Sequence, residues 1–328
     1  MFRVVLSRLL AAGGLLLGCG VASPTCAQTA AKAVPSGPEL KQVDEVQHPP
    51  LDEISGIVRS RWQENVWWVH NDSGDDPRLF AIDSTGSVHV APWHESDYAA
   101  HAGADSSDKP LWPGVRLGAA AHIDYEDIAA DDSTLYLGDI GNNGNARRDL
   151  GIYVIPEPFY YDRRSRPITY LSIAYPDQET FPAQEWHFDA EALFVHRDSL
   201  YLLTKHRKGQ QINAPAAGTK LYRLDTEHPH RVNVLTKIDT HSSIPPPTAA
   251  ALSPSGDRLA VTSYGAVWVF PRPDEGDRWL STEPRRIQLS EDRSEQVEAV
   301  TWDDPHTLRL ANEQRDVFVL PVGTEPDR

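Results

Sequence analysis

The stretch "IDYEDIAADDSTLYLGDIGNN" (residues 123–143) gathers six carboxylates and two asparagines around two short apolar runs. Carboxylates crowded in a partly buried place raise one another's pKa, because each charged form disfavours the next. A hard divalent cation removes that cost, and calcium takes oxygen ligands from Asp, Glu, Asn and backbone at high coordination number. Alternatively, buried carboxylates bond backbone amides and staple neighbouring elements without metal. Glu126, Glu191, Glu298, Asn71, Asp72, Asp139 and Asn142 have the donor chemistry for a hard cation. Lys205 is an internal counter-ion for either reading.

Only a repeat would bring residues so far apart together. After the first residues no long helical period appears, and short apolar runs recur between Gly, Pro, Asp and Asn, the pattern of an all-β chain. The runs recur in one order. The first unit reads "SGIVRSR", "VWWVHNDSG", "RLFAIDSTG", "SVHVAPW", and the second "EDIAADD", "LYLGDIGNN", "GIYVIPE", "ITYLSIAYP". The third is "EALFVHR", "LYLLTKH", "KLYRLDT", "VNVLTKI", and the fourth "AAALSPSGD", "LAVTSYG", "AVWVFPR", "RRIQLS". The last, "EAVTWDD", "LRLANEQ", "VFVLPV", lacks a fourth run.

Four-stranded antiparallel meanders repeated around an axis make a β-propeller. The segment "LKQVDEVQH" (40–48) is expected to supply the missing strand, which closes the ring and removes an exposed sheet edge. The expectation is one all-β domain over residues 40–322, a five-bladed propeller, with 323–328 as a tail. Six blades follow instead if "HAGADSSDKPLWPGVRLGAAAH" (101–122) carries strands; it reads as a long surface loop. Aligned unit starts place Ser55, Glu126, Glu191, Ala250 and Glu298 in one column. No unit shows the Gly-His spacing and Trp-Asp ending of WD repeats.

The first strand of each blade lines the central channel, starting from the face where the second strand ends. Those ends converge on one mouth. The first strands bring Ser55, Glu126, Asp127, Glu191 and Glu298 there. The second bring His70, Asn71 and Asp72; Asp139, Asn142 and Asn143; Lys205 and His206; Ser263 and Tyr264; Asn312 and Glu313. Lys205, Asn143, Tyr264, Asn312 and Glu313 are the expected ligand contacts. Asp131, Asp132, Asp257, Asp303 and Asp304 fall on turns of the opposite face, where Asp accepts bonds from backbone amides.

An acid at the first-strand start, with Asn or Asp at second-strand ends, resembles the regucalcin and gluconolactonase class of propellers and the paraoxonases. The likeness is one of column pattern over about 270 residues. It implies six blades and a calcium ion at the channel mouth that polarises a lactone or ester carbonyl. It also implies Glu126 or Glu191, Asn71, Asn142 and Asp139 as ligands, with His70, His206 and Asp72 competing for the general base. The phrases "DYEDIA…LYLGDIGNN" and "DAEALF…LYLLTKH" are more closely similar to a group of exported bacterial propellers without assigned chemistry.

Other motifs fall away. "NDSGDD" (71–76) lacks the spacing and terminal Glu of an EF-hand loop. "GDIGNNGN" (138–145) lacks the Lys-Ser/Thr and the helix of a phosphate loop. The 13 histidines show no zinc spacing, and no GxSxG elbow exists. Trp67, Trp68, Trp268 and Trp302 lie inside strands, where packing between blades is the default. Trp93, Trp112 and Trp186 lie near loops and suit a sugar or peptide surface.

A net charge of −16 over 328 residues, with no basic stripe, argues against nucleic acid as a partner. The start "MFRVVLSR" followed by "LLAAGGLLLG" is a basic and then apolar export signal, too short to span a bilayer. Cleavage after residue 27 leaves a soluble protein, while "LLGC" has the form of a lipobox that would anchor the chain through lipidated Cys19. Both cysteines, Cys19 and Cys26, lie in this leader, so the body holds no disulfide or thiol chemistry. Residues 28–39 read as a flexible tether. The expectation is a periplasmic or secreted monomer, with a small molecule or an envelope protein as partner. Three functions remain open: a ligand-binding propeller with a calcium-type cation at its mouth, a calcium-dependent lactone or ester hydrolase, and a non-catalytic interaction platform.

Overall fold

The structure is a computed structural model that describes residues 39–100 and 109–323. The leader, Cys19, Cys26 and most of the tether and tail lie outside the described residues. Five antiparallel sheets form the blades of a five-bladed β-propeller. Blade 1 is Ile54–Arg59, Trp67–Asn71, Arg78–Ile82 and Val115–Arg116. Blade 2 is Tyr125–Ala130, Thr134–Asp139, Gly151–Pro156 and Thr169–Ala174. Blade 3 is Asp189–His196, Ser199–Arg207, Thr219–Leu224 and Thr236–His241. Blade 4 is Pro247–Leu252, Arg258–Ser263, Ala266–Pro271 and Arg285–Gln288. Blade 5 is Val297–Asp304, Thr307–Asn312 and Asp316–Pro321, with Lys41–Glu45 as its outer strand. The N-terminal strand therefore closes the ring, antiparallel to the last strand, with Lys41 opposite Val319.

The first strand of each blade touches its counterparts on either side around the axis. Five strands meeting at one axis leave little room. Small residues fill them: Ala129, Ala190, Ala192, Ala249, Ala250 and Ala299 are all buried. Bulk moves outward into five apolar seams, one between each pair of adjacent blades. The seam of blades 1 and 2, for example, packs Trp68, Leu79 and Val115 against Ile128, Leu137 and Tyr153. Three indoles in these seams satisfy their N–H groups locally, while that of Trp279 is buried without a partner. Trp67 donates to Asp303 at 2.8 Å, Trp68 to Glu157 at 2.8 Å and Trp302 to the Ala251 carbonyl at 3.0 Å.

Three local assignments change. In blade 1, "SVHVAPW" is not the outer strand: Val88 makes a lone bridge to Ile82, and Val115–Arg116 pairs with the third strand after a long excursion. The segment 101–122 thus contributes a short strand to an existing blade, not a sixth blade; residues 101–108 lie outside the described residues. In blade 3, "VNVLTKI" is split, because Asn233–Val234 runs parallel to the outer strand of blade 2. In blade 4 the column residue is Thr248, not Ala250. An all-alanine run carries no polar mark to index its register.

The turn acids do what short Asp side chains do. Asp131 accepts the amides of Ser133 and Thr134 and the hydroxyl of Tyr136, and Asp304 accepts the amide of His306. Asp127 is different. Its carboxylate is fully buried and accepts the amides of Ile128, Leu193 and Ala250, at 2.8, 2.8 and 3.1 Å. These are equivalent positions in the inner strands of blades 2, 3 and 4, so one side chain ties three blades at the axis. Burial pushes its pKa up, and the three amides oppose that. Asp127→Ala strands three buried N–H groups, each worth about 1–3 kcal/mol when unpaired. We expect a loss of about 3 kcal/mol or more in denaturant unfolding, with Asp127→Asn intermediate because it keeps one acceptor oxygen.

Candidate functional site

Every inner strand carries a bulge at the same place, where the register slips at Ser55, Glu126, Glu191, Thr248 and Glu298. A bulge leaves one residue unpaired and re-aims its side chain. At two of the five positions a hydroxyl ties the next blade: Ser55 donates to the Glu126 carbonyl at 2.8 Å and Thr248 to the Val297 carbonyl at 2.7 Å. At the other three, glutamates turn into the mouth. A small polar cavity of about 120 Å³ lies there, lined by Ser55, Asp72, Glu126, Asn143, Glu191, Lys205, Tyr264, Glu298 and Glu313.

Of the residues singled out from the sequence, Ser55, Asp72, Glu126, Glu191, Glu298, Asn143, Lys205, Tyr264 and Glu313 line this cavity. The others do not. Asn71 donates to the Pro50 carbonyl and to Asp75. Asn142 donates to the Phe188 carbonyl and accepts the amides of Ala146 and Arg147. Asn312 accepts the amide of Asp316 and donates to its carboxylate. These asparagines fold the turns that follow the second strands. Asp139 is paired with Arg147 at 2.8 Å.

Neither histidine reaches the cavity. His70 is fully buried beneath Gly56, where an added Cβ would lie 2.2 Å from its Nε2, and its Nδ1 meets the Asn71 carbonyl. Burial lowers its pKa to about 4. His206 stacks on His187 at 3.8 Å, and burial with the His187 charge lowers its pKa to about 3.

The structure adds two acids. Asp124 and Asp189 each precede a bulge glutamate by two residues. Carboxylate oxygens of Asp72, Asp124 and Glu126 lie within 4.8 Å of one another, as do those of Glu126, Asp189 and Glu191. The signal was present in the sequence as a recurring Asp-x-Glu, in "DYE" and "DAE".

The two triads differ in their bases. In the second, Asp189 is ion-paired to buried Arg207, and Glu191 to Lys205 at 2.7 Å. In the first, among the described residues, no base pairs with Asp72, Asp124 or Glu126. Glu126 is only 7% exposed, and no hydrogen-bond donor reaches its carboxylate. One Asp72 oxygen is likewise buried without a partner. Burial and the neighbouring acids Glu191, Asp72 and Asp124 push Glu126 well up, and Asp124 rises to about 6 through burial and Asp72. Burial also pushes Glu191 up, against the pull of Lys205, whose ammonium the surrounding carboxylates hold charged. Chemically, the first triad is a set of hard oxygen donors of the type a divalent cation takes.

No protein-family model matches the chain, and no curated protein matches its sequence. Among solved structures it is similar to a glucose dehydrogenase, at 13% identity with a TM-score of 0.45, covering 88% of this chain and 100% of that one. It is also similar to a luciferin-regenerating enzyme, at 8% identity with a TM-score of 0.42, covering 84% of this chain and 73% of that one. The fold assignment rests on the strand pairing itself. The count of five blades departs from the six that the expected likeness to the regucalcin and gluconolactonase class implied.

Burial raises Glu298 to about 8, and Tyr264 donates to it at 2.5 Å. The folded protein therefore keeps a proton that the unfolded chain, titrating near 4.5, releases. This contribution to stability is complete below 4.5 and lost as pH rises through about 8. In cation-free buffer the melting temperature should fall across that window, and Glu298→Gln should flatten the fall.

Proposed function

We propose that the protein is a ligand-binding β-propeller whose channel mouth takes a divalent cation of the calcium type on Asp72, Asp124 and Glu126, with the small ligand in the adjoining polar cavity. One observation carries this reading: three carboxylates share a space of less than 5 Å without a base, and the most buried of them, Glu126, has no donor. Uncompensated buried carboxylates are costly, and a bound cation offsets the cost. Arg207 and Lys205 already serve the neighbouring acids, which directs the cation to the unserved triad. A ligand would then meet the cation on one side and Asn143, Lys205, Tyr264 and Glu313 on the other. Hydrolysis of a lactone or ester needs a proton carrier apart from the cation's ligands; of the three candidate bases, His70 and His206 do not line the cavity and Asp72 belongs to the cation triad, so binding is the reading the geometry supports best. The basic and then apolar start of the sequence supports placing this binding in the periplasm or the exterior, free or anchored through Cys19.

The test is a thermal melt after exhaustive chelation, with and without added calcium. A ligand that binds only the native state stabilises it, by about 2.7 kcal/mol at a hundredfold excess over Kd. For a chain of this size that is a rise of roughly 4 °C. Glu126→Gln should melt no lower than the parent in chelator and should lose the calcium response. An unchanged melting temperature in the parent on adding calcium would overturn the proposal.

A further inference from the structure

The face opposite the mouth carries a second feature, independent of the channel. Trp62, in the turn after the first strand of blade 1, is 42% exposed, and Trp93, beyond its third strand, is 61% exposed. Two rings from the loop before the outer strand of blade 2 lie between them. Phe159 and Tyr161 stack with centroids 4.8 Å apart and planes 8° from parallel. Trp62 meets Phe159 edge-on at 5.0 Å, and Trp93 meets Tyr161 edge-on at 5.1 Å. The result is one continuous strip of four aromatic rings across the seam of blades 1 and 2.

The strip is held in place. Gln63 donates to Glu157 at 2.8 Å and to the Pro158 carbonyl at 2.9 Å, and accepts the Tyr160 amide at 3.1 Å. His89 packs on Tyr160 at 4.8 Å. Filling the seam explains rings that are buried, as Trp112 is, but not two indoles left largely in solvent. Contiguous exposed apolar surface of this kind marks an interaction site.

The same loop, "FYYDRRSR", supplies charge. Arg163 reaches Asp97 at 3.0 Å, and Arg61, next to Trp62, reaches Asp132 at 3.8 Å. Arg116, Arg164 and Arg166 are exposed and form no ion pair among the described residues. Arg116 and Arg164 are held side by side by a backbone bridge, with the Ser165 amide bonded to the Arg116 carbonyl at 2.8 Å. Arg164 and Arg166 follow Tyr161 by three and five residues on this loop, and the loop runs along Arg116 at the mouth-side end of blade 1's outer edge, so guanidinium groups without ion pairs continue from the strip up the side of the blade on a chain of net charge −16.

We infer that this strip binds an acidic polysaccharide. Sugar rings present C–H faces that lie flat on aromatic rings, and their carboxylates match the planar fork of arginine. The charge complementarity selects an anionic chain. Phe159 and Tyr161 are half-buried between the two exposed indoles, so Trp62 and Trp93 offer the ring surface at either end of the strip, which suits a ligand that lies along a surface. The acidic body of the protein repels the denser phosphate backbone of a nucleic acid.

The probe is a short oligogalacturonate, with oligomannuronate as a second acidic backbone, read by tryptophan fluorescence and calorimetry on the full chain. We expect saturable binding that weakens with salt. Trp93→Ala should weaken it about tenfold at an unchanged melting temperature, with Trp93→Phe largely restoring it. Arg164→Ala with Arg166→Ala should weaken the acidic probe, and Glu126→Gln should leave it untouched, separating this site from the mouth. Failure of both acidic oligosaccharides to bind overturns the proposal. So does equal affinity for the methyl-esterified oligomer, or preferential binding of an oligothymidylate or of phosphatidylglycerol vesicles.

Discussion

One carboxylate sits where five strands leave no room for anything larger. Asp127 accepts amides from three blades at the channel axis, and the rest of the channel is arranged around that knot. On one side lie the bulges, the glutamates and the polar mouth. On the other, Ile57, Ile128, Leu193, Ala250 and Val300 wall a wider funnel of about 280 Å³. Without a group that consumes three amides at once, the inner strands would meet at the axis with unpaired donors, which native interiors do not tolerate.

Above that knot the electrostatics sort the acids. Asp139 has Arg147, Asp189 has Arg207 and Glu191 has Lys205. Each base comes from the same blade as its acid, so these pairs belong to the folding of single blades. Asp72, Asp124 and Glu126 come from two blades and have no such partner. The distinction between paired and unpaired acids therefore lies in which blade supplies a base, which a count of acids does not show.

The blades were legible because each must bury the same inner and outer strands against its neighbours, so the apolar runs repeat in order. The closing strand was legible because the last unit was one strand short and "LKQVDEVQH" was spare. The bulge glutamates followed from aligning unit starts. Other features were hidden for physical reasons. Asn71, Asn142 and Asn312 stand at equivalent strand ends because a turn needs them there, and a turn selects the same residue type that a cation does. The outer strand of blade 1 is two residues long, too short for periodicity to register. Lys205 was legible as an internal counter-ion, but its choice of Glu191 and the pairing of Asp189 with Arg207 cross a hairpin, and no spacing rule reveals them.

The last blade joins the two ends of the described chain: Gln42 donates to Asp316, 274 residues away. Contacts of such separation form late, because a long loop must close before they are rewarded. Until then the outer edge of Asp316–Pro321 and the strand Lys41–Glu45 both carry unpaired backbone groups, open to any passing strand. The ring is thus a clasp that only a complete chain can fasten. A chain whose last strand is not yet in place holds four closed blades and one open one, and its exposed strand edges are covered only when the clasp shuts.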